Sequence, residues 1–243
     1  MFLCTTSLTQ IYFVYTLTLT MTSHPSSQNI KLAVDAVIFS IKDGDLQVLL
    51  IQMKKSPFTG DWAIPGGIID DSETTIEAAE RILKTQTGVS NVYLEQLMTF
   101  DDVNRDPAGR VVSVAHVALL PNTQAKLETT EKYQDVRWWP VKKLPKLAYD
   151  HKQILQVALD RLTAKIQYTN IAWSLLPLHF SLTELQAVYE TILDKPLDKR
   201  NFRKRIAALD LIEPSGKKRE GGAFRPAELY KFKEKTLKYV EIT

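Results

Sequence analysis

The chain of 243 residues has a single cysteine, Cys4. No intrachain disulfide can form, and both a disulfide-stapled secreted scaffold and a cysteine-based zinc site are excluded. Glycine and proline are sparse, at 9 and 11, which excludes a collagen-like chain; the composition equally excludes a coiled-coil rod and a fully disordered chain. No internal repeat or low-complexity tract is present. A long uninterrupted apolar run is also missing. Met1–Thr20 carries no charge and contains Phe2, Leu3, Ile11, Tyr12, Phe13, Val14 and Tyr15. Threonine and serine interrupt it, so it falls short of the roughly 20 predominantly apolar residues of a spanning helix. A signal peptide needs a positive leading region and a small-residue cleavage site. The first lysine here is Lys31. The reading that remains is a mis-called start, with the native first residue at Met21. Residues 1–29 are then a flexible or mis-called extension of a cytoplasmic protein with no membrane segment.

What is present is ordinary in amount and uneven in placement. The chain is 44% hydrophobic and 24% charged, as soluble globular proteins are, and its length fits one large domain or two modest ones. Net charge is +3. Asn170–Thr243 holds 14 basic and 10 acidic residues, and Lys195–Arg225 alone holds 10 and 4. A basic segment at one end of a near-neutral chain points to a polyanionic partner, or else to a solvated face.

Lys31–Ile41 and Leu46–Met53 predict two strands joined by a turn at Lys42–Asp45, a hairpin. Gly60–Gly67 (GDWAIPGG) is a short apolar piece broken by Pro-Gly-Gly. Glu73–Thr87 predicts a helix with Ile76, Ala79, Ile82 and Leu83 on one face and Gly88 as its cap. Strands are expected over Val92–Phe100, Val111–Leu120 and up to Pro140, then a helix over Asp150–Ile166. A boundary is expected within Lys165–Phe180, dividing residues 30–165 from 166–243.

Beyond it, Ser181-Leu-Thr-Glu184 is a capping box for a helix burying Leu182, Leu185, Val188, Tyr189 and Ile192. After Pro196, Asp198 caps a second helix, Lys199–Leu209, burying Phe202, Ile206 and Leu209. Glycine-flanked Lys217-Lys218-Arg219 and then Leu229–Phe232 complete the order of a winged helix-turn-helix. Lys199, Arg200, Asn201, Arg203 and Lys204 occupy the first two turns of the second helix, where a recognition helix touches base edges. Arginine pairs with guanine and asparagine with adenine in the major groove. Lys217, Lys218, Arg219 and Arg225 suit phosphate or the minor groove. Double-stranded DNA is the partner this pattern implies; a helical protein–protein module with a charged face is the other reading.

The spacing of Gly67, Glu73, Arg81 and Gly88-Val89, preceded by Trp62-Ala-Ile-Pro65-Gly66-Gly67, resembles the Nudix box. The resemblance implies an α+β fold with a mixed sheet sandwiched between helices. It also implies three glutamates that hold a divalent metal on a pyrophosphate, and Ile82, Thr85 and Gln86 stand at those positions. Mg²⁺ wants anionic oxygen ligands and has to acidify a bound water. Isoleucine offers no ligand; threonine and glutamine offer only neutral ones. The expectation is therefore no catalytic residue, no metal and no cofactor, in a cleft that still binds a nucleotide.

The candidate effector contacts each carry more than one reading. Lys54 and Lys55 reach a diphosphate or are solvated. Trp62 stacks on a base or belongs to the core. Gly66 and Gly67 permit close backbone approach or form a tight turn. Arg81 contacts an anion or braces its loop through Glu73. The run Arg105-Asp106-Pro107-x-Gly109-Arg110, with the strand that follows to His116, resembles the ADP-ribose-type Nudix subgroup. Arg105 and Arg110 meet phosphate, lock a dimer or brace the turn; His116 is a ligand or a satisfied core residue.

With Ser181–Glu190 and Leu197–Arg205, nearly the whole chain after Asn29 resembles the NrtR family, Nudix-related transcriptional regulators of NAD metabolism. This implies a homodimeric repressor of NAD biosynthesis genes on a palindromic operator, with ADP-ribose as inducer. The rival readings are an active Nudix hydrolase of ADP-ribose-like nucleoside diphosphates with an accessory domain, and an interaction adaptor.

Overall fold

The computed structural model describes residues 29–88, 90–121, 127, 131–219 and 227–240. The extension expected at the N-terminus falls almost entirely outside the described residues, and so does Arg225. The first strands are β1 (Lys31–Lys42), β2 (Asp45–Met53), β3 (Trp62–Ala63) and β4 (Gly66–Ile68). Helix α1 (Thr75–Thr87) is followed by β5 (Tyr93–Phe100), β6 (Val111–Leu120) and β7 (Tyr133–Pro140), then by α2 (His151–Tyr168). One sheet has the order β3-β2-β1-β6-β5, with β4 added to β1 and β7 to β2. The β1–β6 pair is parallel and β1–β2, β1–β4 and β5–β6 are antiparallel, so the sheet is mixed.

The strand β1 explains the sandwich. It is buried from Ala33 to Ser40, and alternation divides its side chains between the two faces. Val34, Ala36 and Ile38 pack in one cluster with Ala78, Ala79, Ile82 and Leu83 of α1. Val37 and Phe39 pack in the other with Ile154, Leu155, Ala158 and Leu162 of α2. Helix α1 begins at Thr75, not Glu73, because Thr74 and Glu77 form a reciprocal capping box. Ile76 is a correction to the expected apolar face. It is 47% exposed, since burial begins only at Ala78. Gly88 ends the helix in the left-handed conformation, its N–H bonded to the Lys84 carbonyl.

Helix α2 continues through Tyr168 into a 3₁₀ turn, Ile171–Ser174, then α3 (Leu182–Leu193) and α4 (Lys199–Ala208). Strands β8 (Ile212–Lys218) and β9 (Glu228–Phe232) form the antiparallel wing. The Ser181–Glu184 capping box and the Asp198 cap are both formed. Leu185, Val188, Tyr189, Phe202 and Ile206 belong to the same apolar cluster as Phe39 and Leu155. Leu182 and Leu209 are only half-buried at its margin.

Beyond this shared core, polar contacts at two places tie the helix-turn-helix to the rest. The segment after β9 returns to the end of α2: the Asn170 side chain donates to the Thr236 carbonyl at 3.0 Å and accepts from the Lys238 N–H at 2.8 Å. The Val240 N–H donates to the Tyr168 carbonyl at 2.8 Å. At the β1–β2 turn, the Thr191 hydroxyl of α3 donates to the Gly44 carbonyl at 3.1 Å, and Lys142 pairs with Asp194. Among the described residues no helix is long and apolar enough to cross a membrane.

Candidate functional site

A cavity of about 230 Å³ lies beside Gly66 and Gly67, where β4 pairs with Val34 and Asp35 of β1. Its walls include apolar Ala33, Ile51, Ile64 and Val111, the rings of Tyr133 and Tyr149, and the polar groups of Asp35, Arg105, Lys132 and His151. Concave, mostly apolar sites with a few convergent polar groups are where small ligands bind.

A buried charge cluster forms one side of it. The Arg105 Nε donates to Asp150 Oδ2 at 2.9 Å, and its Nη2 reaches Asp150 Oδ1 at 2.7 Å and Asp35 Oδ2 at 3.3 Å. The Ser113 hydroxyl donates to the same Asp35 oxygen at 2.6 Å. Burial works against the Arg105 charge, but Asp150 and Asp35 outweigh it and hold its pKa above the ordinary value. His151 Nδ1 accepts the Ile64 N–H at 2.9 Å, which leaves the proton on Nε2, 3.6 Å from Asp35 Oδ1. Burial pushes the His151 pKa down in spite of the two aspartates. Tyr149 has a φ of 53°, a left-handed conformation that costs a non-glycine residue of order 1 kcal/mol. Its ring packs on Phe58 and His151, with centroids 4.3 and 5.1 Å apart.

A second compartment of about 370 Å³ adjoins the first across Gly66, Gly67, Ile68, Lys132 and Tyr133. Its remaining wall is Arg81, Ile82, Thr85 and Gln86 of α1, the positions where the Nudix resemblance implies metal ligands. Ile82 is buried under the sheet. The Thr85 hydroxyl donates to the Arg81 carbonyl at 2.7 Å. Gln86 is 4% exposed, and its Oε1 has no hydrogen-bond partner among the described residues. Glu73 accepts from Arg81 Nε at 2.9 Å and from the Asp70 N–H at 2.9 Å. Those bonds, Arg81 first, draw its carboxyl down to about 2.

The cavities thus bring together Gly66, Gly67 and Arg105, with Arg81 in the adjoining compartment. The other residues expected at the site lie elsewhere. Trp62 is buried in the α2-side core, edge-on to Trp139 with centroids 5.1 Å apart. Glu73 is committed to Arg81. Lys54 and Lys55 are exposed and line neither compartment; Lys54 Nζ reaches the Glu131 carbonyl at 3.4 Å. Arg110 braces its turn by donating to the carbonyls of Asp101 and Asp102 at 2.7 and 3.1 Å. His116 is buried, with Nδ1 3.2 Å from the Val114 carbonyl, and burial lowers its pKa. Asp35, Ser113, Lys132, Tyr133, Tyr149 and His151 were not read from the sequence. One signal was available for Asp35, a lone charge inside an otherwise apolar strand.

In the C-terminal part of the chain, Lys199, Arg200, Asn201, Arg203 and Lys204 are all exposed along α4. Phe202 and Ile206 anchor the other face, Phe202 against Tyr189 with ring centroids 5.3 Å apart. The positive face is therefore held rigidly outward. Lys217 and Lys218 are exposed on β8. Arg219 is placed differently from the free wing cation expected. Its Nη2 donates to both oxygens of Glu184, at 2.7 and 2.8 Å, and pins the wing to the start of α3.

The profile of the NrtR DNA-binding winged helix domain matches residues 172–232, and that of the NUDIX domain matches residues 31–158. An ADPR-responsive transcriptional repressor, NtrR, of Acinetobacter baylyi is 38% identical over 205 residues, covering 83% of this chain and 81% of the relative. The crystal structure of Shewanella oneidensis NrtR complexed with a 27mer DNA superposes with a TM-score of 0.75 at 38% identity, covering 83% of this chain and 93% of that one. The NUDIX domain of the same Shewanella protein, complexed with ADP ribose, matches with a TM-score of 0.51 at 37% identity, covering 56% of this chain and 90% of that one. A mixed Nudix sheet between helices, an outward basic helix with its wing, and these matches across both parts lead to one conclusion: the chain belongs to the NrtR family.

Proposed function

We propose that this chain is a transcriptional repressor that grips operator DNA with α4 and the wing and releases it when ADP-ribose fills the cavity beside Gly66 and Gly67. Residues 30–165 are the effector-binding domain and residues 166–243 the DNA-binding domain. Two copies form a homodimer and read a palindrome with half-sites about 34–36 Å apart, or a multiple of that. The protein works in the cytoplasm on NAD biosynthesis genes. The observation that carries this reading is helix α2. His151 at its start lines the cavity and the preceding Asp150 holds the cavity's Arg105, and its far end leads through Ile171–Ser174 into the helix-turn-helix packed on the same core.

Hydrolysis is not part of the reading. The Nudix fold implies a divalent cation, and the donors here do not fit one. Ile82 has no ligand atom, the Thr85 hydroxyl is spent on the Arg81 carbonyl, and Gln86 is neutral. Glu73 is neutralised by Arg81, and Glu77 caps the helix.

The test is calorimetric titration of ADP-ribose into the free protein and into its complex with DNA from upstream of its own gene. Linkage requires DNA to weaken ADP-ribose binding by the factor by which ADP-ribose weakens DNA binding, about 5–150-fold for a typical coupling. Equal affinities in the two titrations would refute ADP-ribose as inducer. In a gel shift on the same DNA, Arg200→Ala and Arg203→Ala are each expected to cost about 1–3 kcal/mol of operator affinity.

A further inference from the structure

We infer that the Lys132 ammonium takes the place of the divalent cation in this chain, binding the ligand's diphosphate directly, so that effector binding needs no metal. The inference rests on the effector reading above and concerns how that same site holds its ligand. Three observations carry it.

The first is position. Lys132 lines both compartments together with Gly66 and Gly67. A methyl group built on Gly67 would lie 4.0 Å from Lys132 Nζ. The ammonium therefore stands beside the bare backbone at the junction of the two compartments, where a chain of two phosphates would pass from one to the other.

The second is charge. Three cations border the compartments. Arg81 is matched by Glu73 and lies 3.9 Å from Asp70. Arg105 is matched by Asp150 and Asp35. Among the described residues Lys132 has no carboxylate within ion-pair distance; its ammonium lies over the Tyr133 ring, 5.3 Å from the centroid. It is the cation whose charge is left for an incoming anion. A lysine is a compact point charge suited to phosphate, and it needs no fixed fork geometry.

The third is the opposite wall. Carboxylates at positions 82, 85 and 86 would repel a diphosphate unless a divalent ion lay between them. Ile82, Thr85 and Gln86 are neutral, so a single ammonium suffices and no ion need intervene.

The experiment is calorimetric titration of ADP-ribose into the full chain, in excess EDTA and again in excess Mg²⁺. It uses the unmodified protein, Lys132→Gln, and Lys143→Ala as a surface-charge control. Lys132 is exposed, so the glutamine variant folds, and its melting temperature verifies this. The expected result is equal affinity with EDTA and Mg²⁺, a loss of about tenfold or more in Lys132→Gln, and no change in Lys143→Ala. Binding that is abolished by EDTA, or Lys132→Gln binding as tightly as the unmodified protein, overturns the inference and leaves the effector reading standing. No ADP-ribose binding by the unmodified protein in either condition overturns both.

Discussion

The cavity wall at Gly66 has no room for a single added carbon. The β1–β4 register sets Gly66 opposite Asp35 and Gly67 opposite Val34. A methyl group on Gly66 would fall well inside 3.0 Å of Asp35 Oδ1 and 2.9 Å from the Val34 carbonyl. Neither neighbour yields easily. The Val34 carbonyl is backbone of a buried central strand, and the Asp35 carboxylate is held by Ser113 and Arg105 with His151 alongside. Overpacking of this kind costs about 1–3 kcal/mol. Pulling the carboxylate off its charged and hydroxyl partners adds about 1.5–3 kcal/mol. Gly66→Ala is therefore expected to destabilise the fold by roughly 2.5–6 kcal/mol, which at this chain length lowers Tm by about 5–24 °C. Gly67→Ala is the control. Its methyl meets only Lys132 Nζ at 4.0 Å, an ordinary contact, so its stability should change by less than about 1 kcal/mol. Thermal and urea unfolding followed by tryptophan fluorescence measure both. A Gly66→Ala protein within about 1 kcal/mol of the unmodified one, or a Gly67→Ala protein damaged as much, would refute the register-and-cluster reasoning.

Two further outcomes follow from the same geometry. Burial holds His116 and His151 below the ordinary histidine value of 6.5, and His179 shifts the same way, through desolvation first and then through Lys217 and Lys231. As pH falls through about 6.5 the unfolded chain takes up protons that the folded state refuses, so stability is fully present above that pH and declines below it. The lowered carboxyls of Glu73, Glu77, Glu95 and Glu184 act only below their ordinary 4.5, leaving a histidine window between. His151→Gln should remove at most about 1.4 kcal/mol per pH unit of slope there, read from urea unfolding between pH 7.5 and 5; an unchanged slope would contradict the buried neutral imidazole. In the wing, Lys217→Ala or Lys218→Ala should reduce the salt-dependence slope of DNA binding by about 1. Arg219→Gln should leave that slope alone and cost no more than about 1 kcal/mol of stability, since its pair with Glu184 is largely solvated. A slope change in Arg219→Gln instead would return that guanidinium to the DNA.

The DNA-binding half was more legible in the sequence than the cavity, for a physical reason. Caps and apolar stripes act over three or four residues, so Ser181 with Glu184, and Phe202 with Ile206, announce their helices locally. The Nudix helix was legible in the same way, through spacing. The cavity cluster is assembled from afar. Asp35 meets Arg105 and Ser113 across separations of 70 and 78 residues, and Arg105 meets Asp150 across 45. Only the parallel β1–β6 pairing and the docking of α2 bring them together, and neither leaves a local mark. Trp62 shows the converse limit. An aromatic before Pro-Gly-Gly reads as core before it reads as a stacking platform, and its packing against Trp139 is that of a core residue. Arg219 likewise sits in a run of positive charge that looks uniform until Glu184, 35 residues earlier, singles it out.

The return of residues 236–240 to Tyr168–Asn170 has a mechanical consequence. The chain enters and leaves the helix-turn-helix and wing at one spot, so that unit hangs as a closed loop from a stitched seam. Gly44 against Thr191 is a second support, on a different side. Between these supports α3 and α4 share one apolar core with α2 and the sheet. A shift of α2 is therefore passed to the basic helix through packed side chains and not only through the chain that joins them.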